Sequence, residues 1–126
     1  MTYSKHSSRS AAEVEARLRD AAARHKFGIL GVQDLEQLLK SKGFELGRRC
    51  RIFDVCNPQA ASKALTLEMR ISTVLPCRIS IFGDSEGCTL ATVKPTDLLR
   101  STGLSGVEQL AAEIEREIIS IIEEAA

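Results

Sequence analysis

Two cysteines of this 126-residue chain have neighbours that could make a thiol reactive. Cys56 is followed by Asn57 and Pro58, a pair typical of a helix start, so its sulfur would lie near the positive end of a helix dipole. Such a position lowers the pKa of a thiol and favours the nucleophilic thiolate. Cys77 follows Pro76 at the start of an expected strand, where the fixed geometry of proline could hold the thiol at a sheet edge. Because both thiols stand at strand ends, they could meet at the same edge of the sheet, although the sequence does not show whether they are close in space.

The cysteines also have a plainer interpretation as small apolar residues. Cys77 is in phase with Ile79 and Ile81, so it could belong to the core face of its strand. Cys50 and Cys88 are expected to be buried, which is common for free cysteine. The chain has no C-x-x-C pair, and its cysteine spacings match no zinc finger or ribbon. Thiols from distant segments could still converge, so a soft-metal site of two or three thiolates stays open.

One motif resembles that of a catalytic serine. The stretch GDSEG, residues 83–87, matches G-x-S-x-G, whose serine lies between a strand and a helix in hydrolases. The following segment, CTLATV, alternates like a strand, so we expect Ser85 at a hairpin tip instead. Of the two histidines, His6 and His25, neither is well placed by sequence to act as a base. Paired-carboxylate, phosphate-loop and dinucleotide-binding motifs are also absent from the sequence, which argues against an enzyme.

Composition limits the class of protein. Hydrophobic residues make up 44% and charged residues 27% of the chain, a globular profile rather than a disordered one. The net charge of zero argues against nucleic acid as the main partner, and no apolar run is long enough to span a membrane. The first residues lack the apolar middle of a signal peptide, so we expect a cytoplasmic protein with reduced thiols.

Helix signals place the candidate thiols within a regular arrangement of elements. Ser10 with Glu13 forms a capping box that predicts a helix over about residues 10–25. Asn57 and Pro58 begin a helix over about residues 58–67. Three further starts are expected: Asp34 for a short helix that ends at Gly43, Pro95 for a helical turn, and Ser105 with Glu108 for a long amphipathic helix over about residues 106–125.

Strand character is found between these helices, at residues 27–32 and in the segments CRIFDV, CRISIF and CTLATV. The expected fold is therefore of the α+β class, with a mainly antiparallel sheet and helices packed on one face. No linker or shift in composition interrupts the chain, which predicts a single domain over residues 1–126.

Four segments in a fixed order resemble a known family. FGILGVQDLEQLLKSKG, RIFDVCNP, LPCRISIFGD and VKP, between Phe27 and Pro95, are similar to the family called domain of unknown function 302. The most specific parts are the triplets Cys-Asn-Pro at residues 56–58 and Leu-Pro-Cys at residues 75–77. The resemblance implies a β-α-β-β-β-β-α layout similar to that of the TATA-binding protein. It also implies a homodimer, and it implies no established activity.

The resemblance covers a core of about residues 27–95, with flanking helices at about 10–25 and 106–125 that fit the same layout. The chain departs from the pattern at its front, where the first strand would have to come from the short stretch MTYSKHSS. Cys50 and Cys88 are additional thiols that do not belong to the family pattern.

Two functions from different classes are consistent with these residues. The first is a binding module that holds a small ligand or a soft metal near Cys56, Asn57, Pro58, Pro76 and Cys77. The alternative is thiol-based redox or sulfur-transfer chemistry, with Cys56 as the attacking thiolate and Cys77 as its resolving partner. Most cysteine nucleophiles need a nearby histidine, whereas thiol exchange does not. A scaffold that only associates through its helices is a third possibility. The identity of a ligand or cofactor is not encoded in any motif of the chain.

Overall fold

The computed structural model describes residues 1–84 and 86–126, residue 84 by its backbone alone. The serine motif that we interpreted as a hairpin tip therefore has its central residue, Ser85, outside the described residues. Five strands form one antiparallel sheet in the order β1-β5-β4-β3-β2. The strands are β1 (Thr2–Ser7), β2 (Gly28–Asp34), β3 (Arg49–Cys56), β4 (Cys77–Asp84) and β5 (Gly87–Val93).

Helices connect and flank these strands. They are α1 (Ala11–Arg24), α2 (Leu35–Ser41), α3 (Pro58–Leu67), α4 (Pro95–Thr102) and α5 (Glu108–Ala125), together with a 3-10 helix (Met69–Val74) that precedes β4. This arrangement confirms the predicted α+β class with an antiparallel sheet. Within the described part of the chain, no helix is long and apolar enough to cross a membrane.

Side-chain caps explain where three of the helices begin. The side chains of Ser10, Asp34 and Asn57 accept hydrogen bonds from backbone N–H groups in the first turns of α1, α2 and α3, at 3.0 to 3.2 Å. These three predicted caps are confirmed. The capping box predicted at Ser105 is wrong, because α5 begins two residues later than expected, after Val107, and has no side-chain cap.

The first strand forms from the N-terminal stretch, as the family resemblance required. It pairs with β5 along its whole length and forms one edge of the sheet. Two side chains connect it to the C-terminal helix: the Tyr3 hydroxyl donates to Glu123 at 2.8 Å, and the Ser7 hydroxyl donates to the carbonyl of Ala126 at 3.1 Å. The short stretch therefore suffices for a strand because β5 and α5 both hold it.

Two hydrophobic clusters fill the interior. The larger lies between one face of the sheet and the helices α1 and α5, and its fully buried side chains include Leu18, Phe53, Ile79, Leu90 and Ile118. The smaller lies beyond the end of the sheet where β3 stops and β4 starts, and it contains Ala64, Ile71, Leu99 and Val107. Burial of both sets removes apolar area from water, which stabilises the fold. The two clusters meet near the end of β3 and the start of β4.

Candidate functional site

An apolar pocket with a volume of about 80 Å³ separates the two hydrophobic clusters. Its walls come from the ends of β3 and β4, from α3, the 3-10 helix and α4, and from the first half of α5. The lining residues are Phe27, Val55, Cys56, Asn57, Ala60, Ala61, Ala64, Ile71, Val74, Leu75, Cys77, Pro95, Leu98, Leu99, Val107, Leu110, Ala111 and Ile114. Most are aliphatic, so the pocket offers an apolar surface with a few polar groups on one wall.

The structure brings together three of the five residues that the sequence singled out. Cys56, Asn57 and Cys77 all line the pocket, because β3 and β4 are neighbours and Cys77 pairs with the residue before Cys56. Pro58 is the first residue of α3, and Pro76 follows Leu75 through a cis peptide bond. Neither proline belongs to the pocket wall, so each acts on its neighbours by fixing the local chain direction.

The side chain of Asn57 uses its oxygen to cap α3, and its amide NH₂ group is without an acceptor among the described hydrogen bonds. Its side-chain oxygen accepts the N–H of Ala60 at 3.1 Å and thereby caps α3. The amide NH₂ group of the same side chain has no acceptor among the described hydrogen bonds, and the residue is half-buried at the pocket wall. A donor in this position could orient a ligand without disturbing the helix.

The two pocket thiols are held in the neutral form. Burial, with a smaller contribution from the neighbouring Cys56, raises the pKa of Cys77 to about 11. Burial also raises the pKa of Cys56, so the expectation that the helix dipole would lower it is wrong. The physical reason is that the capping N–H of Ala60 already donates to Asn57, while loss of water around the sulfur disfavours its charged form. At neutral pH the Cys77 thiol is therefore protonated.

The other two cysteines lie outside the pocket. Cys88 is 2% exposed in the larger cluster, as predicted, and its thiol is 3.7 Å from the carbonyl oxygen of Arg9. Cys50 pairs with Phe82 of β4, on the face of the sheet away from the larger cluster, and it is half-buried. The prediction that Cys50 belongs to the core is therefore wrong. All four thiols are free. Among the described residues, no group of three or more His, Cys, Asp or Glu side chains is close enough to hold a metal ion.

A polar cleft of about 420 Å³ adjoins the apolar pocket. The two cavities share four lining residues: Asn57, Ala60, Leu110 and Ile114. The rest of the cleft is mostly polar and is formed by the end of α1, the first turns of α3 and the middle of α5, through His25, Lys26, Gln59, Lys63, Glu113, Arg116 and Glu117. The combination gives one continuous wall that is apolar at one end and charged at the other.

His25 connects the cleft to the C-terminal helix. Its ring nitrogens contact the carboxylates of Glu117 and Glu124, one on each side. Hydrogen bonds to Glu124 and Glu117 raise the pKa of His25, which favours its charged form. The ring is therefore engaged on both nitrogens and is not available as a free base for either thiol. Two carboxylates of α5 therefore hold the end of α1.

Sequence reasoning did not identify most of the pocket wall. Ile71, Val74 and Leu99 come from the 3-10 helix and from α4, and the sequence does not show that these two short segments pack against α3 and α5. The basic side of the cleft was also missed, since Lys26, Lys63 and Arg116 are far apart in sequence. No local pattern could have found either group, because both form only when α3 and α5 pack.

Comparisons with known proteins agree with the fold. No curated protein matches the chain. A solved structure, an uncharacterised conserved DUF302 protein from Bacillus stearothermophilus, superposes with a TM-score of 0.93 over 99% of this chain and 98% of that one. The sequences are 24% identical, so this similarity concerns the fold alone. The model of the family described as "Domain of unknown function DUF302" matches residues 3–125. Since that match covers nearly the whole chain, the protein belongs to the DUF302 family.

Proposed function

We propose that the protein is a binding module whose apolar pocket takes a small, mainly apolar molecule, with Cys56, Asn57 and Cys77 in the binding wall. The observation that carries the proposal is the unfilled space of about 80 Å³ between two otherwise well-buried clusters. Aliphatic side chains surround this space, and Asn57 contributes a hydrogen-bond donor at its border with the polar cleft. This combination is typical of ligand sites, which are largely apolar with a few placed polar groups.

Apolar walls that face water are a cost to the fold. The pocket is partly open to solvent, so part of its aliphatic lining contacts water, and a ligand in that place would remove this apolar area from water. The small side chains of Ala60, Ala61 and Ala64 on α3 leave room between this helix and the other pocket walls, which supports a pocket that a ligand fills.

The chemistry of the thiols favours binding over the alternative of redox or sulfur transfer. Nucleophilic attack requires a thiolate, and the pKa values of Cys56 and Cys77 are both raised. A soft metal would likewise have to displace protons from both sulfurs. Neutral thiols instead behave as small, polarisable apolar groups that suit the wall of a ligand pocket.

Methyl NMR titration with hexanol tests the proposal. Hexanol should shift the methyl signals of pocket residues such as Ile71 and Leu99 and leave those of the buried sheet core unchanged. The variant Ala61→Leu places a larger side chain in the pocket and should weaken binding at least about tenfold. Ala23→Leu is the matched control, since Ala23 is exposed on α1 and lines neither cavity. Equal binding by both variants, or shifts spread over the surface, would contradict the proposal.

A further inference from the structure

The polar cleft carries positive charge that the fold does not use. Lys26, Lys63 and Arg116 line it, and none of them has an acidic partner within 4 Å among the described residues. Of the two carboxylates in the cleft, Glu117 is bound to His25. Glu113 accepts only a weak hydrogen bond from Gln109 at 3.3 Å. The cleft thus presents three unpaired cationic groups against one carboxylate that has no cationic partner.

The backbone at Lys26 is a second, independent observation. Lys26 has a φ of 63°, in the left-handed region, and no other non-glycine described residue has a positive φ. It follows the last turn of α1, where the N–H of Phe27 reaches the carbonyl of Ala22 and the N–H of Lys26 reaches that of Ala23. Glycine is the usual residue at this point of such a helix end. Here a strained position carries a lysine whose side chain lines the cleft, and such strain is concentrated at functional sites.

The cleft and the pocket are joined at Asn57. Asn57 belongs to the lining of both cavities, and its side-chain oxygen is used by the cap of α3 while its NH₂ group has no acceptor among the described hydrogen bonds. A molecule that filled the pocket with an apolar tail would bring its head group into the cleft. Amide and cationic donors together suit a carboxylate, which accepts hydrogen bonds and carries negative charge.

We infer that the ligand of this protein is a small organic carboxylate with an apolar tail, held by the aliphatic pocket at one end and by Lys26, Lys63, Arg116 and the Asn57 amide at the other. The inference rests on the proposed function, and it adds the charge and the orientation of the ligand. The carboxylate lies in the cleft, where water can still reach it, and the apolar tail occupies the pocket.

Three probes with the same tail and different charge test the inference: hexanoate, hexanol and hexylammonium, titrated by methyl NMR at neutral pH and low salt. Hexanoate should bind most tightly and hexylammonium least. Lys63→Gln and Arg116→Gln should each weaken hexanoate binding by about two- to fivefold and leave hexanol binding unchanged. Lys40→Gln is the matched control, because Lys40 is exposed on α2 and lines neither cavity. Added salt should weaken the binding of hexanoate alone.

The outcomes separate the two proposals. If hexanol binds in the pocket as tightly as hexanoate, or if hexylammonium binds best, the carboxylate inference is wrong while the apolar binding function remains. If no probe shifts the pocket methyl signals, both proposals are wrong. If hexanoate binds but Lys40→Gln weakens it as much as Lys63→Gln does, the attraction comes from overall charge and the assignment to the cleft is refuted.

Discussion

Replacing Lys26 by glycine should make the protein more stable and a poorer binder of carboxylates. In the folded chain Lys26 holds a φ of 63°, which costs an L-residue about 1–2 kcal/mol relative to the right-handed region. Glycine adopts this conformation without that penalty but loses about 0.5–1 kcal/mol more backbone entropy on folding. The net gain for Lys26→Gly is therefore about 1 kcal/mol.

The gain is large enough to measure. The entropy of unfolding scales to about 0.26 kcal/mol per kelvin for a chain of 126 residues, so about 1 kcal/mol corresponds to an increase of about 4 °C in melting temperature. Far-UV circular dichroism is the suitable probe, because the chain contains no tryptophan and a single tyrosine. The melting temperature and the affinity for hexanoate would be measured on the same samples.

Lys26→Ala separates the two effects. Alanine also lacks the ammonium group but keeps a Cβ, so it retains the strain of the left-handed position. Both variants should lose hexanoate affinity equally, and only the glycine variant should gain stability. If Lys26→Gly is no more stable than Lys26→Ala, the strain argument is refuted. If neither loses hexanoate affinity, Lys26 has no part in the cleft.

Three further predictions concern single residues. Because the pKa of Cys77 is raised from 9.0 to about 11, alkylation of Cys77 by iodoacetamide at neutral pH should be about a hundredfold slower in the folded protein than in urea, measured by mass spectrometry of its peptide; equal rates would contradict a neutral, buried thiol. The pKa of His25 is raised on folding, so its contribution to stability is complete below about pH 6.5 and is lost as the pH rises through the raised value. That dependence should be absent from melting curves of His25→Gln, and its persistence there would assign it to another group. Asn57→Ala should cost about 1 kcal/mol by removing the cap of α3, whereas Asn57→Ser should keep the stability and weaken hexanoate binding only; equal destabilisation by both would show that the cap is not what Asn57 contributes.

Local sequence signals were sufficient where the cause of a structure is local. Ser10, Asp34 and Asn57 each cap a helix at the predicted residue, because a cap depends on a side chain and a backbone group three positions apart. The prediction failed at Ser105, where Gly106 adopts a φ of 95° and its N–H is taken by Glu108, so that α5 begins later. The homodimer implied by the family resemblance stays a prediction, which light scattering in solution would test.

The sequence by itself determined the α+β class, the family and most of the elements, since hydrophobic periods, caps and ordered motifs are readable along the chain. It did not indicate the 3-10 helix Met69–Val74. The sequence also identified Cys56, Asn57 and Cys77, together with Pro58 and Pro76, as candidate site residues, but it did not show which side chains surround them. Only the tertiary structure decided the chemistry of the thiols, because the desolvation that raises their pKa values depends on atoms contributed by distant segments. The pocket and its cationic neighbour have the same origin. Both lie between α3 and α5, the pocket closed further by α4 and the cleft by the end of α1, and a space between elements exists only once those elements have packed.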